Sequence, residues 1–259
     1  MLATAAARSP SVAVDRPPIS PRARDDEAAQ TMRRVAETLA LVADAVPVQR
    51  RLLRPGDAVY QAGQRFTHLH LLNAGFVKVV NLSADGRDQI VGLKFRGDWL
   101  GFDGIADGVH GCDAVAMDTG EAWSLPYDAL VDACAQRPRL MGKLHRAMSR
   151  ESARDRHSLM SVCTLPADAR VAEFLRNWAQ SLSGRGLRAD QILLRMTRAE
   201  IGNYLGLTLE TVSRALSRLA RERLIEFSDK GRRDIHIRDA DALAAFVQLS
   251  LAPDLSVLQ

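Results

Sequence analysis

The sequence predicts an α+β protein with an N-terminal antiparallel β-roll, a long helix and a C-terminal winged helix-turn-helix. Three observations carry this prediction. Between Val48 and about Leu125, short β-rich runs alternate with turn residues about every 8–12 positions. After Pro126 the apolar residues follow helical spacing. Residues 196–238 then combine two capped helices with a hairpin.

The composition limits the classes of protein that the chain can represent. Apolar residues make up 47% of its 259 residues, which is ordinary for one large or two modest globular domains. No stretch approaches about 18 consecutive apolar residues, so no membrane span is predicted. The formal net charge of +4 permits a nucleic-acid partner without proving one. The three cysteines are widely spaced and odd in number, which predicts a reducing compartment, the cytoplasm.

The N-terminal part divides into a tail and a first domain. Proline, alanine, serine and arginine dominate residues 1–24, which predicts a disordered tail, with a processing signal as the alternative. Residues 25–134 are expected to hold a short amphipathic helix, ending before Pro47, and the β-roll. The apolar positions of that helix are Met32, Val35, Leu39 and Leu41.

A long helix is predicted over residues 135–165, because Leu165-Pro166 interrupts the helical pattern there. Its apolar stripe is typical of a coiled-coil seam, so we expect it to pack against a second copy of the chain. A helix that lies on its own β-roll is the alternative. Asp155 would face its twin across a two-fold axis, where like charges oppose association. The predicted dimer-interface residues are Leu144, Met148, Asp155, Leu159 and Val162.

Residues 166–259 are expected to form a second domain around a helix-turn-helix. Thr197 and Glu200 have the spacing of a capping box for a first short helix. Gly206 lies in a tight turn, and Thr208 can cap a second helix. Three apolar residues of the second helix are expected to face inward: Val212, Leu216 and Leu219.

The opposite face of the second helix carries side chains that suit the major groove of DNA. Arg214 can donate two hydrogen bonds to guanine, Glu210 can accept one from cytosine, and Ser213 can contact base or phosphate. A hairpin with a basic tip over residues 224–237 would form the wing. An ordinary solvated helix beside a surface hairpin is the alternative. The predicted DNA-binding residues are Thr197, Arg198, Thr208, Glu210, Thr211, Ser213, Arg214, Ser217, Arg218, Arg221, Arg232 and Arg233.

The stretch from Met196 to Arg214 is similar to the helix-turn-helix signature of the CRP/FNR family of bacterial transcription regulators. Residues 167–178 and 97–103 extend the resemblance, which covers about residues 47–248. It implies a homodimer with an effector-sensing, cyclic-nucleotide-binding-like β-roll and a dimerisation helix. It also implies a winged helix that binds double-stranded DNA, an activator role and RNA polymerase as a partner.

The recognition helix resembles one branch of that family. Glu210, Ser213 and Arg214 match the Glu-x-x-Ser-Arg pattern of the FNR and FixK branch, whereas Leu209 stands where the cAMP-receptor branch has arginine. This resemblance implies a pseudo-palindromic operator with TTGAT-type half-sites and control of anaerobic, redox or nitrogen-oxide-responsive genes. Asp155 matches the acidic residue with which FNR restrains its dimer.

Two cofactors of the family do not fit this sequence. The residues that hold ribose and phosphate in the cAMP branch correspond to Phe102, Cys112 and Asp113. Residues 101–130 contain six acids and neither Lys nor Arg, so a cyclic-nucleotide phosphate would be repelled. No cysteine precedes Cys112, and Trp123 stands at the β-roll ligand position of FNR, which leaves too few thiolates for an iron–sulfur cluster.

The sequence carries weaker signals for cofactor binding, redox chemistry and catalysis. A haem-dependent or ligand-dependent sensor of the same family is an alternative, and the candidate axial ligands are His68, His70, His110, His145 and His157. The first two share a strand face, but no further ligand follows them, so we expect neither a metal site nor a cupin-like enzyme. Cys163 is a candidate redox residue, with a small buried residue as the alternative. No catalytic motif occurs, so no enzyme is predicted.

Overall fold

A computed structural model describes residues 21–82, 86–228 and 233–251, with side chains from residue 29 onward. The helices are α1 (Pro21–Ala45), α2 (Tyr127–Gln136), α3 (Pro138–Thr164), α4 (Ala167–Ser183), α5 (Arg198–Leu205), α6 (Leu209–Arg221) and α7 (Ala240–Leu249). The strands are β1 (Gln49–Leu53), β2 (Ala58–Tyr60), β3 (His68–Ala74), β4 (Val77–Leu82), β5 (Asp88–Lys94), β6 (Trp99–Leu100), β7 (Asp113–Ala116), β8 (Gly120–Pro126), β9 (Gln191–Leu193), β10 (Glu226–Phe227) and β11 (Asp234–His236).

The β-roll consists of two four-stranded antiparallel sheets, in the orders β1-β8-β3-β6 and β2-β7-β4-β5. Leu71 of β3 is opposite Trp123 of β8 in the first sheet, and Val79 of β4 is opposite Ala114 of β7 in the second. Their inner faces supply a buried core that includes Leu53, Leu72, Val77, Leu100 and Ala122. The predicted antiparallel roll is therefore confirmed.

Helix α1 is longer than the sequence suggested. It begins at Pro21, so it includes the last four residues of the predicted tail, and it runs for 25 residues. Leu39 and Val42 are buried against the roll, whereas Met32 is 41% exposed, so burial anchors the second half of the helix. The rest of the predicted disordered tail, residues 1–20, lies outside the described residues.

Helix α3 ends at Thr164, as Leu165-Pro166 predicts. Leu144 is a correction: its side chain is only 7% exposed and packs in the N-terminal core with Leu140 and Trp99, so it is not a free seam position. At Leu140 and Leu144, α3 lies on its own roll, and the packing of the rest of the helix against a second copy stays a prediction. Further along, Asp155 is exposed and Leu159 is 64% exposed.

The winged domain packs against its own β-roll. Trp178 of α4 contacts Phe76 and Phe95 of the roll, with ring centroids 5.9 Å and 5.4 Å apart. The side chain of Asn203 in α5 accepts a hydrogen bond from Ile90 N at 2.6 Å and donates one to Asp88 O at 2.8 Å. The buried apolar cluster of the winged domain thus extends onto the roll, where it includes Val80, Ile90 and Phe95. In the part of the chain that is described, no helix is long and apolar enough to cross a bilayer.

Candidate nucleic-acid interface

The two helices of the helix-turn-helix begin at the caps that the sequence predicts. Thr197 Oγ1 accepts from Glu200 N at 3.2 Å, and Thr197 N donates to Glu200 Oε2 at 2.8 Å, so both halves of the capping box are present. Lys78 of β4 also holds Glu200, with Nζ 2.5 Å from Oε1. Burial would raise the pKa of Glu200, but the hydrogen bonds from Lys78 and Thr197 keep it below its usual value. Glu200 therefore orders α5 as a charged carboxylate.

The turn between the helices depends on two glycines. Gly206 ends α5 with φ +65°, in the left-handed region that glycine adopts without strain. A Cβ at Gly202 would lie 2.5 Å from Leu207 O, so only glycine permits this close approach. Thr208 then caps α6 by accepting from Thr211 N at 3.2 Å, as predicted.

Helix α6 has one buried face and one exposed face. The buried side chains include all three that the sequence predicts to face inward: Val212, Leu216 and Leu219. Glu210, Arg214, Arg218 and Arg221 are exposed, and Thr211, Ser213 and Ser217 are half-buried. The alternation confirms the predicted inner face and leaves the side chains of the opposite face exposed or half-buried.

The predicted wing exists and has one strand more than expected. In the hairpin, Glu226 pairs with His236 and Phe227 with Ile235. The short strand β9 (Gln191–Leu193) adds to the other side of β11, which the sequence did not indicate because three residues give no alternating pattern. Arg198, in the first turn of α5, lies over the Phe227 ring at 5.9 Å. Arg233 is exposed, and Arg232 lies outside the described residues.

A basic depression of about 290 Å³ opens on the exposed side of α6. Thr211, Arg214, Arg218 and Arg221 line it together with Asp168 from the first turn of α4. Arg218 donates to Asp168 at 2.6 Å and to Glu222 at 2.8 Å. Sequence spacing gives no sign of Asp168, because it lies 50 positions from Arg218. The contact between Arg218 and Glu222 is visible in the sequence as an i,i+4 pair of opposite charges.

The β-roll positions that correspond to the cyclic-nucleotide ligands have other partners. Cys112 Sγ is 3.3 Å from Asp103 Oδ2, and burial raises the pKa of this thiol to about 12. Asp113 Oδ1 accepts from Ala62 N at 2.6 Å, and the Phe102 ring stacks on Trp99. These groups offer a phosphate no positive charge.

The candidate haem-ligand histidines lie in two separate parts of the molecule. His68, His70 and His110 lie in the roll, where Tyr60 stacks between the last two at centroid distances of 5.6 Å and 3.8 Å. His70 Nδ1 is 2.9 Å from Ser124 Oγ, and burial lowers the pKa of His70 to about 3, so the ring is neutral. The other two candidate haem ligands, His145 and His157, lie on α3. Over the described ranges, no three His, Cys, Asp or Glu side chains converge as metal ligands would.

The three cysteines have different environments. Cys112 and Cys134 are buried, whereas Cys163 is exposed near the end of α3. The alternative that Cys163 is a small buried residue is therefore wrong. A redox role for its thiol stays a prediction.

Comparisons with known proteins identify the family of the chain. Residues 169–246 match the model of a Crp-like helix-turn-helix domain, and residues 50–137 match that of a cyclic nucleotide-binding domain. The fumarate and nitrate reduction regulatory protein of Salmonella typhimurium is 32% identical over 202 residues, covering 78% of this chain and 80% of that protein. The chain belongs to the CRP/FNR family of transcription regulators.

Two further proteins are similar to this CRP/FNR regulator over most of their length. The transcriptional activator protein Anr of Pseudomonas protegens is 34% identical over 202 residues, covering 78% of this chain and 82% of Anr. The solved structure of FixK2 from Bradyrhizobium japonicum has a TM-score of 0.69 and 28% identity, covering 77% of this chain and 97% of FixK2. The fold and the relatives are those of transcription regulators and not of enzymes.

Proposed function

We propose that this regulator binds a TTGAT-type palindrome as a homodimer and controls genes that respond to oxygen, redox state or nitrogen oxides. The observation that carries the proposal is the position of Glu210, Ser213 and Arg214 in the first two turns of the capped helix α6. Recognition helices meet base edges with that end. The similarity to the Salmonella regulator and to Anr supports the assignment to the same branch.

The base contacts follow from the chemistry of the three side chains. Arg214 has the two parallel donors that match guanine O6 and N7, and Glu210 has the acceptor that matches the amino group of cytosine. Ser213 completes the set with a hydroxyl group that can donate or accept. Arg218 and Arg221, one and two turns further on, are assigned to phosphates, as are Arg232 and Arg233 of the wing.

The exposed apolar stripe of α3 is assigned to the dimer interface. Met148 is 40% exposed and Leu159 is 64% exposed, and Val162 continues the same stripe as a half-buried residue. Exposed apolar side chains at helical spacing are typical of a surface that a second copy covers. Asp155 interrupts the stripe with a charge, so we propose that it weakens the dimer.

We infer that the β-roll uses neither a cyclic nucleotide nor an iron–sulfur cluster. Cys112 and Asp113 already have partners within the roll and supply no cation for a phosphate. A cubane cluster needs about four thiolates, whereas the chain has three cysteines, of which two are buried. We further propose that the regulator acts in the cytoplasm, with double-stranded DNA and RNA polymerase as its partners.

Fluorescence anisotropy tests the proposal directly. The full chain is titrated into a labelled TTGAT–ATCAA duplex and into a scrambled duplex of equal length, in air and under strict anoxia. We expect at least about 1,000-fold tighter binding to the palindrome than to the scrambled duplex in one or both atmospheres. Binding in both identifies a regulator that is indifferent to oxygen, and binding only under anoxia identifies a redox input. Equal affinity for the two duplexes in both atmospheres would contradict the proposed operator.

A further inference from the structure

The basic depression beside α6 contains an acidic side chain. Four of its lining residues come from α6, and three of these are the arginines Arg214, Arg218 and Arg221. The fifth is Asp168, from the first turn of α4. A carboxylate on a surface that faces DNA repels the phosphate backbone, so its presence here calls for a physical role.

Arg218 has three partners in the described part of the chain. Its Nη1 donates to Asp168 Oδ2 at 2.6 Å, its Nε donates to Glu222 Oε1 at 2.8 Å, and its guanidinium lies 5.8 Å from the Phe246 ring centroid. The hydrogen bonds to Glu222 and Asp168 raise the pKa of Arg218. The guanidinium is therefore charged and held between α4, α6 and α7.

The contact between Asp168 and Arg218 is open to exchange. The two side chains are 28% and 50% exposed, so solvent and a docking phosphate reach both. Ion pairs at such exposure are weak because water and salt screen them. A phosphate oxygen can form the same kind of charge-assisted hydrogen bond with this guanidinium. While Asp168 is paired with Arg218, its negative charge cancels part of the guanidinium charge and repels an approaching phosphate, so the two anions compete for Arg218.

We propose that Asp168 competes with a DNA phosphate for Arg218 and thereby lowers the affinity of the winged domain for DNA of any sequence. This inference rests on the proposed function, because it takes α6 as the DNA-facing helix. The ion pair of Asp168 is with Arg218, which is assigned to a phosphate, so the competition acts on the phosphate contribution. The ratio of operator affinity to scrambled-DNA affinity is set by Glu210, Ser213 and Arg214 and is independent of it.

The test uses the full chain with Asp168→Asn, a change that removes the charge and keeps the shape. We expect about three- to tenfold tighter binding to both the TTGAT–ATCAA duplex and the scrambled duplex at low salt. The plot of log affinity against log salt concentration should steepen by about 1.8 for the dimer, the equivalent of one more neutralised phosphate per subunit. Asp190→Asn is the matched control, since it removes one negative charge from the same domain outside the depression, where Asp190 pairs with Arg188. It is expected to change the affinity less than about twofold.

Two further variants separate competition from other effects of the substitution. In an Arg218→Ala background, Asp168→Asn should lose most of its gain, because the donor for which Asp168 competes is gone. Asp168→Ser should reproduce the gain, and thermal unfolding of each variant verifies that α4 is intact.

The outcomes are distinct. An unchanged affinity in Asp168→Asn, or a full gain that persists without Arg218, overturns the competition while leaving the proposed function intact. Tightening on the operator alone overturns it as well, because the effect would then belong to base recognition. Wild-type protein that binds neither duplex contradicts the proposed function itself and with it the competition.

Discussion

Replacing Asp98 by asparagine removes a buried negative charge that joins the β-roll, α3 and the end of α4. The carboxylate lies between β5 and β6, where Oδ2 accepts from Phe95 N at 3.0 Å and from Arg185 Nη2 at 2.8 Å. Its other oxygen accepts from Arg154 Nη2 at 3.0 Å. Burial alone would raise the pKa of Asp98, but the charges of Arg185 and Arg154 and these hydrogen bonds hold it below its ordinary value.

The magnitude of the effect follows from the exposure of the partners. The side chains of Asp98 and Arg185 are each 10% exposed, so Asp98→Asn leaves a buried guanidinium without its counter-charge. Such a loss costs about 3 kcal/mol of unfolding free energy. The Arg154 side chain is 48% exposed, so its pair with Asp98 is screened, and Arg154→Ala is expected to cost under about 1 kcal/mol. The larger loss is a substantial part of a typical stability of about 5–15 kcal/mol.

Urea denaturation at pH 7, followed by circular dichroism and tryptophan fluorescence, measures this loss. Asp190→Asn, which breaks an exposed pair with Arg188, is the control and should leave the midpoint unchanged. Because the folded pKa of Asp98 is depressed, its contribution is fully present above the unfolded pKa near 3.8 and is lost as the pH falls through the folded pKa. The difference in unfolding free energy between wild type and Asp98→Asn should therefore be constant between pH 5 and 8, about one to four pH units above that value. It should disappear as the pH falls into the acid range. Equal midpoints at pH 7 would refute the assigned role of the buried pair.

Three other predictions concern single features. Thr208→Ala should lower the free energy of unfolding by about 1 kcal/mol, because the cap of α6 is lost. The control Thr38→Ala, inside α1, should not lower the thermal midpoint. An unchanged midpoint in Thr208→Ala would contradict the contribution of the cap. Asp155→Ala should tighten the dimer because the repelling charges are removed, and sedimentation that shows an equal or weaker dimer would refute this. Alanine at both Arg232 and Arg233 should weaken binding to all DNA and flatten its salt dependence, and a loss confined to the operator would argue against phosphate contacts by the wing.

Features built from local sequence could be predicted well. The capping box at Thr197, the cap at Thr208 and the turn at Gly206 each depend on residues within a few positions of one another. The two faces of α6 follow from helical periodicity, which the apolar residues Val212, Leu216 and Leu219 obey over two turns. Local hydrogen bonds determine the caps and the turn, and the helical period determines the two faces, so a single sequence is enough to predict them.

Features built from distant residues could not be predicted from the pattern. The contact between Asp168 and Arg218 joins residues 50 positions apart, and the pair of Asp98 and Arg185 joins residues 87 positions apart. Leu144 fits the seam of α3 by spacing but is covered by the chain's own roll, because periodicity gives a face and not its partner. Single-sequence spacing carries no information on which surfaces meet.

The central claim is that α6 reads DNA sequence through Arg214. The most direct test measures the affinity of wild type and Arg214→Ala for operators in which each half-site base pair is substituted in turn, symmetrically in both half-sites. Wild type should lose about 1–3 kcal/mol of binding free energy when the base pair that Arg214 contacts is substituted. Arg214→Ala should show no preference at that base pair and keep its preference at the others. Arg221→Ala, a phosphate-contact control, should weaken binding equally on every operator. If Arg214→Ala weakens all operators by the same factor, Arg214 contacts phosphate, and the account of sequence recognition is wrong.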